Sequence, residues 1–173
     1  MSVLRARRRA ERLVVECGIK GPPVDVEAVA RHVGVVRVVA VPLGGDISGL
    51  LVTRKGISTI CVEERHHEHR QRFTIAHEVG HHVLGHHFGN GEHVHVDRVS
   101  MRNAKSSEGT DLLEIEANQF AAALLMPESL VEVELAKVDS SDVEEVVRLL
   151  SRCFKVSTGA MALRLGALGY EAT

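Results

Sequence analysis

The stretch FTIAHEVGHHVLGHHFGN, Phe73 to Asn90, carries five histidines and one glutamate among apolar residues. Within it His77, Glu78 and His81 form the pattern H-E-x-x-H. Phe73, Ile75, Ala76, Val79, Val83 and Leu84 give the segment an apolar flank, so it reads as a helix that must pack rather than a solvated histidine run. On a helix, residues four apart share one face with Cβ atoms about 5–6 Å apart. Both imidazoles can therefore reach one tetrahedral Zn²⁺, with Glu78 beside the open position. Zinc draws the pKa of a water down towards about 7, and the adjacent carboxylate can take its proton as it attacks a peptide carbonyl.

A catalytic zinc needs a third protein ligand, and the sequence offers several. His87 follows His81 by six residues, but Leu84 stands where a histidine at that spacing would need glycine to turn the chain. His93 and His95 are loop candidates without a supporting pattern. The segment Asp111 to Met126 supplies carboxylates. Projected at about 100° per residue, Leu113, Ala117, Phe120, Ala121, Leu124 and Leu125 centre one apolar face. Glu114 lies about 60° from that centre and Glu116 about 100° away on the other side. Glu114 is thus the preferred third ligand and Glu116 the alternative. Asn118 follows Glu114 by one turn and can accept from the non-ligating nitrogen of His77 or His81. Ala117, Ala121 and Ala122 allow the two helices to approach closely.

Working outward, VDVEAVARHVG reads as a short helix with Asp25 as N-cap, Glu27 in its first turn and Gly34 past its end. Three β-rich runs follow, from Val35, Ile47 and Ile57, with the separators PLGGD and RKG, and predict an antiparallel meander. HVHVDRV alternates as a half-exposed strand inside a long polar loop, and NAKSSEGTD reads as flexible. Beyond the stop at Pro127 the chain is helical. It continues over 128–137, then through a helix opened by a capping box at Ser141 and Glu144, then a last one starting near Ser157. The expected division is a core over 1–127 and a helical segment over 128–173 that packs on it.

Composition excludes several functions. With 173 residues the chain supports one core, and with no Trp, one Tyr and four Phe it lacks stacking platforms for bases. A formal charge of −2 gives no global footprint for nucleic acid or anionic membrane. The arginine run RARRRAER, Arg5 to Arg12, sits opposite Ala6, Ala10, Leu13, Val14 and Cys17 at helical spacing and reads as a solvated face. No apolar run approaches the roughly 18 residues of a membrane span, and no export signal is visible, so the expectation is a soluble cytoplasmic protein. Cys17, Cys61 and Cys153 are three cysteines without a close pair and read as small apolar side chains.

FTIAHEVGHHVLGH followed by EIEANQFAAALLMP resembles the ImmA/IrrE family of zinc metallo-endopeptidases, a likeness extended by PVDVEAVARHVGV and FKVSTGAMALRLGALG. The resemblance implies an α+β, zincin-like domain, here with the small antiparallel sheet packed on the H-E-x-x-H helix and a C-terminal helical segment after it. It further implies zinc held by His77, His81 and the glutamate of E-x-x-A-N, which falls at Glu114, with Glu78 as general base. Its partner would be a helix-turn-helix repressor, cleaved to relieve repression. Ile57 to Val62 is expected to pair with extended substrate. Candidate oxyanion donors are His86, His93, His95, Arg98 and Tyr170. Other readings are a non-catalytic metal-binding regulator and a DNA-binding regulator using the last helices. The latter is disfavoured because Ser157, Thr158, Gly159 and Ala160 occupy the start of the would-be recognition helix. His82 and His86 are read as solvated or hydrogen-bonded, and His66, His67 and His69 as opening the active-site helix.

Overall fold

The computed structural model describes residues 2–86, 92–98 and 108–170, without the side chains of 93 and 108–111. The possible ligand His87 and most of the predicted loop 89–110 lie outside the described residues. The elements run α1 (Val3–Glu16), α2 (Val26–His32), β1 (Val35–Val41), β2 (Ile47–Arg54), β3 (Ile57–Glu63), α3 (Glu68–Leu84) and β4 (His93–Arg98). Then come α4 (Glu108–Leu125), α5 (Glu128–Leu135), α6 (Val143–Phe154) and α7 (Thr158–Ala167). This is the expected α+β class, with helices following the sheet-bearing part.

Local chemistry sets most boundaries. The Asp25 carboxylate accepts from Ala28 N–H at 2.9 Å to open α2. Ser157 Oγ accepts from Ala160 N–H at 3.1 Å to open α7. The capping box expected at Ser141 is instead an Asp142 cap, whose carboxylate accepts from Glu144 N–H at 3.0 Å. His66 and His67 precede α3, and His67 Nδ1 accepts from His69 N–H at 3.2 Å as its cap. Only His69 of that trio lies in the helix.

The sheet departs from the expected meander. Its order is β1-β3-β2-β4, with β1 parallel to β3 and the other pairs antiparallel. β2 and β3 do form a tight hairpin, because Lys55 and Gly56 both take positive φ, 51° and 76°, as the favoured two-residue turn requires. The longer connection from β1 instead passes over the end of β3. There Glu63 Oε2 accepts from Leu43 N–H at 2.8 Å and Gly44 N–H at 3.0 Å. β3 therefore enters between β1 and β2. It has no open edge, so Ile57 to Val62 is not the strand that could take up an extended peptide.

α3 lies between β2 and β3 on one side and α4 on the other, while α1 packs on α4. On α1, Ala6, Ala10, Leu13 and Val14 are buried and Arg5, Arg8 and Arg12 exposed, as the periodicity predicts. The contact of α3 with β2 depends on Gly49, where an added Cβ would run into Thr74 Cγ2 and stand 3.4 Å from Glu78 Oε1. On the α4 side, a Cβ at Gly80 would stand 3.3 Å from Ala117 Cα. α5 to α7 add Val131, Leu150, Phe154, Met161 and Leu165 to the same apolar cluster. The buried Arg164 donates to Met126 carbonyl at 2.9 Å and pairs with Glu11 at 3.2 Å. The three cysteines are free thiols, half-buried rather than fully so.

Two outcomes are expected from these contacts. Gly49→Ala should lower unfolding stability in urea by about 1–3 kcal/mol, through overpacking of β2 on α3. Glu63 accepts from Arg65 N–H as well, and these backbone donors hold its carboxyl below the usual carboxylate range. A depressed folded-state pKa stabilises above the unfolded value near 4.5 and loses that effect as pH falls through the folded value. Glu63→Gln should therefore be less stable than wild type at pH 7, with the gap closing below about pH 4 in denaturation curves.

Candidate metal centre

α3 presents His77, Glu78 and His81 inside the molecule, with exposures of 1%, 0% and 0%. The spacing of four residues brings the imidazoles together, and His77 Nε2 and His81 Nε2 stand 3.0 Å apart. α4 crosses at Gly80 and Ala117 and delivers Glu114, whose carboxylate oxygens lie 3.2 Å from His77 Nε2 and 3.4 Å from His81 Nε2. One donor atom from each of His77, His81 and Glu114 falls within 4.8 Å of the others. Ligands of a tetrahedral zinc at about 2.0–2.1 Å are separated by about 3.3 Å, so two imidazoles and one carboxylate at these distances fit such a cation.

Glu116 does not join them. It points to the far side of His81 and accepts from His86 Nε2 at 3.1 Å. His86 Nδ1 in turn lies 3.2 Å from His81 Nδ1. Asn118 Oδ1 accepts from His77 Nδ1 at 3.1 Å, the contact foreseen from its place one turn after Glu114. His82 is half-buried and donates from Nε2 to Val33 carbonyl at 3.1 Å.

β4 supplies a group that periodicity did not assign. Its Val94 is exposed whereas His95 and Asp97 are buried, so the polar side of the strand faces α3. His95 donates from Nδ1 to Glu78 Oε2 at 3.1 Å and from Nε2 to Glu114 Oε1 at 3.0 Å. Its ring stacks on His81 at 3.8 Å between centroids. Of the other oxyanion candidates, Arg98 pairs with Asp46 at 3.0 Å on the surface and Tyr170 is exposed beyond α7. The signal for His95 was present in HVHVDRV, but alternation alone does not say which face of a strand is buried.

Burial and pairing set the protonation of the cluster. Burial pushes His81 down to about 3, leaving a neutral imidazole with a free lone pair. Burial works against ionised Glu114, yet the histidines around it, His77 foremost, hold it well below the usual carboxylate range. Burial raises Glu78, which moves it towards the neutral range where a general base is effective. Burial opposes a charged His95, but its bonds to Glu114 and Glu78 raise it to about 10. Neutral imidazole and ionised carboxylate are the forms a divalent cation binds. Glu78 Oε1, against Gly49, is buried without a hydrogen-bond partner among the described residues.

The family model described as Peptidase_M78, IrrE N-terminal-like domain, matches residues 33–166. The chain belongs to this family. It is thus an ImmA/IrrE protein with a peptidase-type domain, a family whose chemistry implies a metal, and its His-His-Glu group could bind one. No curated protein matches the chain. A solved structure, that of a Mycobacterium tuberculosis transcriptional regulator, is similar with a TM-score of 0.59 and 20% identity. The match covers 93% of this chain and 46% of that one, so this chain spans less than half of that protein's length. At such identity the likeness concerns the fold, which agrees with the architecture above.

The cluster is expected to take up one divalent cation per chain. Elemental analysis should find it in wild type and in zinc-saturated Glu116→Ala, and lost in His77→Ala and Glu114→Ala. Retention in Glu114→Ala would remove that residue from the ligand set.

Proposed function

We propose that this protein is a zinc-dependent endopeptidase that cleaves and inactivates a helix-turn-helix transcriptional repressor and so relieves repression. The observation that carries the reading is the convergence of His77 Nε2, His81 Nε2 and a Glu114 oxygen within 4.8 Å, with the buried Glu78 beside them. The membership of a peptidase family supports hydrolysis of a protein. The repressor as substrate rests on the likeness of the paired motifs to the ImmA/IrrE endopeptidases.

In this reading His77, His81 and Glu114 hold the zinc. When bound, the metal supplies Lewis acidity and lowers the pKa of a coordinated water. Glu78 accepts the proton of the attacking water and later passes it to the leaving amine. Asn118 holds His77 with its Nδ1–H turned outward, which leaves Nε2 for the metal. His95 orients Glu78 through Oε2, and its other N–H, now on Glu114, is the donor placed to meet a developing oxyanion.

Extended substrate would add to β4, which among the described residues pairs only with β2. His95 projects from that strand, so a peptide laid along it passes beside Glu78. The division at Pro127 into a catalytic core and a C-terminal segment is part of the same proposal, with the last helices serving substrate recognition. No helix among the described residues is long and apolar enough to cross a membrane. The location proposed is the cytoplasm, where repressors act.

Incubation with a candidate repressor tests the reading. Wild type should cut it, chelation should stop cleavage, and Glu78→Gln should retain zinc but cut at least about 100-fold more slowly. Equal cleavage by Glu78→Gln and wild type would overturn the assignment of the base.

A further inference from the structure

Behind His81 lies a chain of buried groups that takes no part in holding a metal directly. His86 follows His81 by five residues, a spacing that a continuing helix would place about 140° round its axis. The helix does not continue. Gly85 takes the left-handed conformation, φ 71°, and His86 N–H bonds back to His81 carbonyl at 3.0 Å. This turn folds the His86 ring against His81, with centroids 5.1 Å apart and planes at 73°. Glu116 meets it from α4. Glu114 and Glu116 straddle the crossing with α3, so one reaches the front of the histidine pair and the other reaches behind it.

The direction of every hydrogen follows from the end of this chain. A carboxylate oxygen accepts, and Glu116 Oε2 lies 3.1 Å from His86 Nε2, which places the His86 hydrogen on Nε2. Neutral His86 then has a lone pair on Nδ1, which accepts from His81 Nδ1 at 3.2 Å. His81 is left with its lone pair on Nε2, the atom facing His77 and Glu114. Exposures of 6% for His86 and 3% for Glu116 keep bulk water from competing for these positions. His77 lacks such a chain, because its partner Asn118 is a neutral amide.

We propose that Glu116 and His86 are positioning residues for His81, locking it in the tautomer that offers Nε2 to a divalent cation and strengthening that nitrogen with a buried carboxylate. The proposal rests on the metal-binding reading of His77, His81 and Glu114. It gives Glu116 a role distinct from that of a ligand, although it lies two residues from one. It also explains a glycine at position 85, where an added Cβ would meet no atom within 4 Å and the requirement is the left-handed backbone alone.

The test uses the whole chain, with zinc alone as probe, in chelator-competition titrations and ¹⁵N spectra of the histidine rings. Glu116→Gln keeps the shape and removes the charge. It should weaken zinc binding about 10- to 100-fold while still reaching one zinc per chain at saturation. In zinc-loaded wild type, His86 should be protonated on Nε2 and not on Nδ1, and this signature should change in Glu116→Gln. Gly85→Ala should weaken zinc similarly by moving His86, whereas Gly85→Asn, which tolerates the left-handed conformation, should restore it. Equal zinc affinity in wild type and Glu116→Gln, or a zinc-loaded His86 protonated on Nδ1, would overturn the relay while leaving the ligand set intact. Failure of wild type to bind zinc would overturn the metal reading itself, and the relay with it.

Discussion

The backbones of α3 and α4 meet at Gly80 and Ala117, where a single added Cβ would stand 3.3 Å from both the Ala117 Cα and its carbonyl oxygen. This close approach sets the reach of every side chain in the centre. Glutamate is short, and a crossing even one methyl group wider would carry Glu114 away from the two imidazoles it now contacts. Phe120 closes the same junction, since its Cδ1 would lie 3.1 Å from a Cβ at Gly80. Small residues at the crossing and large ones one turn on let the helices pack closely.

Burying this many ionisable groups is unfavourable unless each finds a partner. Two hydrogen-bonded arrays meet that demand, one on each side of His81. In front, Glu114 stands among His77, His81 and His95, and His95 also reaches Glu78. Behind, Glu116 receives His86. His81 belongs to both, and its neutrality follows from standing among neighbouring rings in a buried site. The arrays are therefore coupled, and a change behind His81 acts on the donor in front of it.

Sheet order matters to this chemistry. Because Glu63 ties the loop after β1 across the end of β3, β3 is interior and β2 comes to lie over α3, with β4 beyond it. That arrangement brings His95 down onto Glu78 and leaves the outer side of β4 unpaired among the described residues. An interior β3 could not serve as a template for a peptide, since both of its ladders are filled. Glu78 and the outer edge of β4 are thus linked through His95.

The sequence by itself determined the helices, the cap at Asp25, the start of the last helix near Ser157, the inward faces of α1 and α4, and the pairing of His77 with His81. These depend on periods of 3.6 residues and on side chains bonding their own backbone, interactions a few residues long that a linear pattern contains. It also ranked Glu114 ahead of Glu116, because angular distance from an apolar stripe is a local property. The tertiary structure decided what joins distant segments. It placed β3 between β1 and β2, since the same three strands can be ordered more than one way and Glu63 selects among them through bonds to residues 20 and 19 positions earlier. It turned His95 of β4 inward and, through the left-handed Gly85, folded His86 beneath His81. The physical reason is common to all three: alternation and helical spacing fix which residues share a face, but not what that face will meet.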